Sequence, residues 1–150
     1  RGTAYTGLKE YRKPIAFKTS ETIYEEDGIA IFSVGHMMEV AEKVRERLKA
    51  TGYNCSLINS RFVKPIDEHI LEEMAEEHTL FVTIEENVLS GGYGEKVQDY
   101  VMEQQLSVEV LKIGVPDEYV EHGNIDVLRK EIMLDEESIV KQIITQYIGR

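Results

Sequence analysis

Apolar residues recur along this chain with two periods, and the alternation between them lays out the elements. Ile29–Val34 (Ile-Ala-Ile-Phe-Ser-Val) is nearly all apolar, the mark of a strand covered on both faces, and Gly35 ends it. Met37, Val40, Ala41, Val44 and Leu48 then repeat at helical spacing among charged residues, and Thr51-Gly52 closes that helix with a left-handed cap. In Tyr53–Asn59, Tyr53, Cys55 and Leu57 alternate with Asn54, Ser56 and Ile58, which predicts a half-buried strand. Pro65 disfavours helix at Lys64, and Asp67 is placed to cap a helix buried through Ile70, Leu71, Met74 and Ala75. Thr79–Ile84 predicts a further strand, and the helix after it uses Val97, Val101 and Tyr100. Ser107–Ile113 predicts the last strand, ended by Gly114-Val115-Pro116-Asp117. A short helix capped by Asn124 and anchored by Ile125, Leu128 and Ile132 follows. Asp135 then caps a terminal helix whose Ile139, Val140, Ile143, Ile144, Tyr147 and Ile148 form a broad apolar stripe. Upstream, Ser20–Glu25 predicts a short strand turned by Glu26-Asp27-Gly28.

Strands alternating with helices of this length imply an α/β fold: a mostly parallel sheet with helices on both faces. In such folds ligands and partners meet the loops beyond the carboxyl ends of the strands. Here those loops are Gly35–Met37, Ser60–Asp67, Glu85–Gly94 and Gly114–Gly123.

Charge and composition change this picture in two ways. The 150 residues are 42% hydrophobic and 30% charged, with a net charge of -11, which speaks against a nucleic-acid partner and against adsorption to anionic membranes. The charge is also uneven: residues 1–20 carry five basic groups against Glu10 alone, so the acidity lies in the remainder. Residues 1–19, with Gly2, Gly7 and Pro14 and no sustained period, read as a connecting arm before a domain at 20–150. The first residue is not Met, so a piece of a longer chain is the expectation. No 18-residue apolar run and no signal peptide is seen, and the single cysteine, Cys55, excludes an internal disulfide framework and fits a reducing cytoplasm.

The candidate chemistry gathers at Val82–Val97. Gly91-Gly92-Tyr93-Gly94 suggests a phosphate cradle, yet it follows a late strand, lacks the G-x-G-x-x-G spacing and lacks a G-K-[ST] ending. Close backbone packing at a helix start and a domain contact fit it better. Glu85 and Glu86 are neighbours and point opposite ways in extended backbone, which is poor geometry for paired acid–base work. One of them is expected to order the loop by accepting backbone N–H bonds, and the other to face a partner; Asn87 follows in the same loop. Arg61 can bridge to Asp67 or Glu85, or bind an anion. His36 and His122 fall in carboxyl-end loops. The four histidines have no metal-ligand spacing, so no metal site is expected, and no G-x-S-x-G elbow supplies a nucleophile. The chain thus has the shape of an α/β catalytic domain without a self-sufficient catalytic set.

Five motifs in register carry a family resemblance. They are Arg1-Gly2, Phe32-Ser33-Val34-Gly35, Arg61-Phe62-Val63-Lys64-Pro65-Ile66-Asp67, Glu85-Glu86-Asn87 with Gly91-Gly92-Tyr93-Gly94, and Ile113-Gly114-Val115-Pro116-Asp117 with Glu121-His122-Gly123. Across essentially its whole length the chain resembles the C-terminal domain of the 1-deoxy-D-xylulose-5-phosphate synthases, in the transketolase superfamily. The Arg61–Asp67 form favours the synthases over transketolases or 2-oxoacid dehydrogenase beta subunits, which remain the alternative. So does a separately encoded half that pairs with an N-terminal partner.

The resemblance implies a three-layer α/β/α domain whose five-stranded, mostly parallel sheet has one antiparallel strand, for which Ser20–Glu25 is the candidate. It implies a cytoplasmic, homodimeric transferase using thiamine diphosphate and magnesium (Mg2+) in the full-length enzyme, which condenses pyruvate with glyceraldehyde 3-phosphate for isoprenoid, thiamine and pyridoxal synthesis. The family's diphosphate-binding motif, activating glutamate and pocket histidines are missing here. No cofactor is therefore expected on this stretch alone, which is expected to be inactive, with no catalytic residue of its own. Its partners would be the rest of the same chain and a second subunit, and its loops (Arg61, Asp67, Glu85, Glu86, Asn87, Gly91, Gly92, Gly94, His122) would serve structure or interface. Arg1 falls on an arginine that the resemblance marks as a substrate-phosphate contact, and it is expected to be out of place when detached from its own domain.

Overall fold

A strand with no polar face needs cover on both sides, and that requirement sets the layers. The computed structural model describes residues 20–60, 66–89, 91–115 and 134–149. Its elements run β1 (Glu21–Tyr24), β2 (Gly28–Ser33), a 3-10 turn (Gly35–Met37), α1 (Met38–Ala50), β3 (Cys55–Asn59), α2 (Glu68–Ala75), β4 (His78–Val88), α3 (Tyr93–Glu103), β5 (Glu109–Val115) and α4 (Glu136–Ile148). The sheet order is β1-β3-β2-β4-β5, parallel except for β1, which runs antiparallel to β3. This is the mostly parallel five-stranded sheet with Ser20–Glu25 at its antiparallel edge.

The two-residue period of the strands divides the core. Ile29, Ile31, Leu57, Val82 and Ile84 pack on one face with Met38, Ala41, Val44 and Leu48 of α1 and Ile139 and Ile143 of α4. Ala30, Phe32, Ile58 and Phe81 pack on the other with Ile70, Leu71 and Met74 of α2 and Val97, Tyr100 and Val101 of α3. Phe32 and Phe81 meet edge to face at 4.9 Å there. Tyr100 donates its hydroxyl to Glu72, tying α3 to α2; that bond, together with burial, pushes the Tyr100 phenol up to about 12.

Local signals govern most element ends. Asp67 caps α2 by accepting from Ile70 N at 3.3 Å, and Asp135 caps α4 by accepting from Ser138 N at 3.2 Å. Gly52, at φ +103°, adopts the left-handed conformation that closes α1.

Four expectations need correction. β3 is not half-buried: Cys55, Ser56, Leu57 and Ile58 are all fully buried, because β3 lies inside the sheet between β1 and β2 with helices on both faces. β4 does not stop at Ile84 but continues through Glu85 and Glu86 to Val88. β5 starts at Glu109 and runs through Gly114 and Val115. The two extensions support each other, since Val88 pairs with Val115 after a register shift beyond Ile84, and Leu89 N donates to Val115 O at 2.9 Å. Ile148 is 66% exposed and leaves the stripe of α4, in which Val140, Ile144 and Tyr147 are partly buried. The short helix expected after Asn124 lies outside the described residues, as do the 1–19 arm and Arg1.

At the amino ends of the strands, buried polar groups answer one another. Ser56 Oγ accepts from Glu26 N at 2.7 Å and lies 2.9 Å from His78 Nε2, while His78 Nδ1 lies 2.6 Å from Met74 O. A carbonyl only accepts, so Nδ1 carries a proton and donates to Met74 O. Glu26 accepts from Cys55 N at 2.9 Å and pairs with Arg45 at 3.2 Å and Lys49 at 2.9 Å. Arg45 also donates to Cys55 O and lies 3.8 Å over the Tyr24 ring. Burial pushes the Glu26 carboxyl up, but the Cys55 N–H, Lys49 and Arg45 together outweigh it and hold the carboxyl below its ordinary value. A depressed folded value means that the stabilisation is present above the unfolded value and lost as pH falls through the folded one. Glu26→Gln should therefore cost about 1–2 kcal/mol at neutral pH. In urea titrations the gap between the two proteins should close on acidification below the ordinary carboxylate range.

Candidate functional site

α3 begins at a glycine, and a glycine offers no side chain to the unpaired N–H groups of a first helical turn. Gly92 is its N-cap and makes no side-chain cap bond. The acceptor comes from the neighbouring strand instead. Glu85, fully buried at the carboxyl end of β4, accepts from Tyr93 N at 2.9 Å through Oε1 and from Gly94 N at 2.8 Å through Oε2. A buried carboxylate held by two N–H donors at the positive end of a helix dipole is well compensated.

This approach requires a glycine at 94. A Cβ there would lie 2.4 Å from Thr83 Oγ1, 3.0 Å from Lys112 Cγ and 3.2 Å from Glu85 Oε2. Gly91 has a different reason, a φ of +74° with open space around it. Its N–H donates to Glu95 Oε1 at 2.8 Å and its carbonyl accepts from Lys96 Nζ at 2.9 Å, so the first turn of α3 clamps the loop that precedes it.

These contacts decide the chemistry available. The amides of Tyr93 and Gly94 that a phosphate would need are already bonded to Glu85, so the glycine loop is a packed helix start and not an anion cradle. Glu86, half-buried on the same strand, does not share the buried position of its neighbour. Asp67 accepts from Ser20 N at 2.7 Å as well as from Ile70 N, which commits both its oxygens to backbone. His36 is exposed in the 3-10 turn, and Asn87 lies in the last stretch of β4. Arg61 and His122 lie outside the described residues. Burial pushes the Cys55 thiol up to about 12, leaving no nucleophile there. Among the described residues no three His, Cys, Asp or Glu side chains converge on a metal position.

Two residues at this edge escaped sequence reasoning. Tyr93, 2% exposed, reaches through the layer beneath α3 to place its hydroxyl 2.9 Å from Ser60 Oγ at the end of β3. Burial pushes its phenol up by more than the Ser60 bond lowers it, so the hydroxyl stays protonated. The available signal was a tyrosine set between two glycines, where nothing but a tight helix start would bury it.

The fold and this edge define the chain as a doubly covered α/β domain that presents loops at the carboxyl ends of its strands. The sequence model of the family "Transketolase, C-terminal domain" matches residues 19–139, and the chain belongs to that family. It is 42% identical over 147 residues, 97% of its length, to the 1-deoxy-D-xylulose-5-phosphate synthase of Lachnoclostridium phytofermentans. It is also 35% identical over 143 residues, 95% of its length, to that of Aquifex aeolicus. The chain spans 24% and 23% of the lengths of these relatives. Among solved structures, a split-gene transketolase described as an inactive β4 tetramer superposes with a TM-score of 0.79 and 26% identity, over 85% of this chain and 41% of that one. A transketolase from Campylobacter jejuni, at 11% identity and a TM-score of 0.63 over 85% of this chain and 18% of that one, shares the fold.

Two variants test the helix start. Gly94→Ala should destabilise by about 1–3 kcal/mol through overpacking against Thr83 and Glu85, whereas Gly91→Ala, with open space, should cost about 1 kcal/mol for its positive φ alone. Thermal or urea unfolding of the two proteins gives the ranking. Glu85→Gln keeps the shape but turns an amide NH2 toward one N–H donor. It should cost about 1–3 kcal/mol and speed hydrogen exchange at the Tyr93 and Gly94 amides.

Proposed function

We propose that this chain is the C-terminal domain of a 1-deoxy-D-xylulose-5-phosphate synthase. In the full chain, pyruvate and glyceraldehyde 3-phosphate are joined to give 1-deoxy-D-xylulose 5-phosphate and carbon dioxide: two three-carbon units become one five-carbon product and one carbon lost. The observation that carries this reading is the 42% identity over 97% of the chain to a synthase of which the match is only 24%. Residues 20–150 form the domain and 1–19 the arm that joins it to the preceding domains; the family match beginning at residue 19 supports that division.

Within that enzyme the domain supports the homodimer and the rim of the active site through its carboxyl-end loops. Arg61, Asp67, Glu85, Glu86, Asn87, Gly91, Gly92, Gly94 and His122 serve structure or interface, and Arg1 approaches the substrate phosphate. Thiamine diphosphate and Mg2+ do not fit the described residues. No three metal-ligating side chains converge, and Glu85, the buried carboxylate, has both oxygens engaged by backbone. The other domains hold the cofactor, and no catalytic step is assigned to this one. No described helix is long and apolar enough to cross a membrane, in keeping with a cytoplasmic enzyme. The resemblance to one chain of a split-gene transketolase supports a second reading, a separately encoded half that pairs with an N-terminal partner.

The purified 150 residues should show no synthase turnover, and calorimetry should find no micromolar affinity for thiamine diphosphate with magnesium. Turnover or such binding by these residues alone would overturn the reading of a dependent domain. Adding the N-terminal domains as a separate polypeptide distinguishes a pairing half from a covalent domain: only the former regains activity.

A further inference from the structure

β1 has four residues, lies at an edge of the sheet beside β3, and changes register between Thr22 and Tyr24. So brief and interrupted a ladder holds a strand weakly, and side chains secure both of its ends. At the amino edge of the sheet, where β1 finishes, Glu26 N donates to Ser56 Oγ at 2.7 Å and Cys55 N donates to Glu26 Oε1 at 2.9 Å. Arg45 lies over the Tyr24 ring beside them. At the carboxyl edge, where β1 starts, the antiparallel pairing sets Glu21 opposite Asn59. An anchor there is Asp67, whose Oδ2 accepts from Ser20 N at 2.7 Å.

Asp67 has two roles in one carboxyl group. Its Oδ1 accepts from Ile70 N at 3.3 Å as the N-cap of α2, while Oδ2 holds Ser20, 47 residues earlier. A cap needs one oxygen, and serine, asparagine and aspartate serve about equally well there. The second oxygen is what the aspartate adds. We propose that Asp67 is a latch that fastens the start of β1 to the start of α2. Its release lets β1 peel from the carboxyl edge while Glu26 and Ser56 keep the strand hinged at the amino edge. The preceding chain joins the domain at the latched end, so Asp67 couples that point of entry to α2. The latch goes beyond the synthase reading and does not rest on it, because every contact in it lies within the described residues.

The test is hydrogen exchange on the full-length protein carrying this domain, as wild type, Asp67→Ser and Asp67→Ala. A serine hydroxyl still caps α2, but its single oxygen sits one bond nearer the backbone and cannot also hold Ser20 N. In Asp67→Ser, exchange at residues 20–23 should rise by about tenfold, while the Glu26 amide and β2 stay within about two-fold of wild type. Asp67→Ala, which has no cap, should raise exchange both at 20–23 and in the first turn of α2. Adding Ser56→Ala to Asp67→Ser frees the hinge as well, and the rise should then extend through Glu26. Unchanged exchange at 20–23 in Asp67→Ser would overturn the latch and leave Asp67 a helix cap alone. In that same variant, a rise as large at Glu26, or one shared by β2, would mean that the whole strand or sheet loosens, and would overturn it too.

Discussion

A carboxyl group with no exposure is costly unless donors beside it replace the water it has lost, and Glu85 has two, the N–H groups of Tyr93 and Gly94. Much of the carboxyl edge of the sheet depends on this arrangement. It sets where α3 begins and how closely that helix approaches β4, and closeness in turn demands glycine at 94, over Thr83 and Lys112. It also fixes the direction of the Tyr93 ring, which carries its hydroxyl to Ser60. The glycine-rich loop, which reads in isolation as a place for an external anion, is closed by an anion from its own strand.

The two ends of the sheet are built for different purposes. At the amino end, Ser56, His78, Glu26, Arg45 and Lys49 form a connected set of donors and acceptors that ties β1, α1, β3 and the start of β4 together. A satisfied network of this kind rigidifies and specifies register. At the carboxyl end the same economy of satisfied groups holds the start of α3 and the glycine turn before it in place. That division suits a transketolase C-terminal domain, which spans about a quarter of its curated relatives.

Local features of this structure were legible in advance. The uninterrupted apolar run of β2, the helical spacing of α1, the capping by Asp67 and Asp135 and the left-handed Gly52 all express the conformational preferences of a few adjacent residues. Reading Glu85 and Glu86 as neighbours facing opposite ways followed from the two-residue period of a strand. The family resemblance of the loop motifs extended that reach to the antiparallel β1.

Pairings across the sheet were not legible. Ser56 looked like the polar side of a half-buried strand until the order β1-β3-β2-β4-β5 placed it inside, facing His78 from a strand two positions away. The strand extensions to Val88 and Val115 exist because each supplies the other's hydrogen bonds, and Tyr93 matters because Ser60 lies beneath it. Covalent neighbours fix periodicity and caps, so the chain alone settles where most of the described elements form. Which buried polar groups meet depends on register and strand order, which exist only once distant segments have packed; that is why the partners of Glu85, Tyr93 and His78 had to be found in three dimensions.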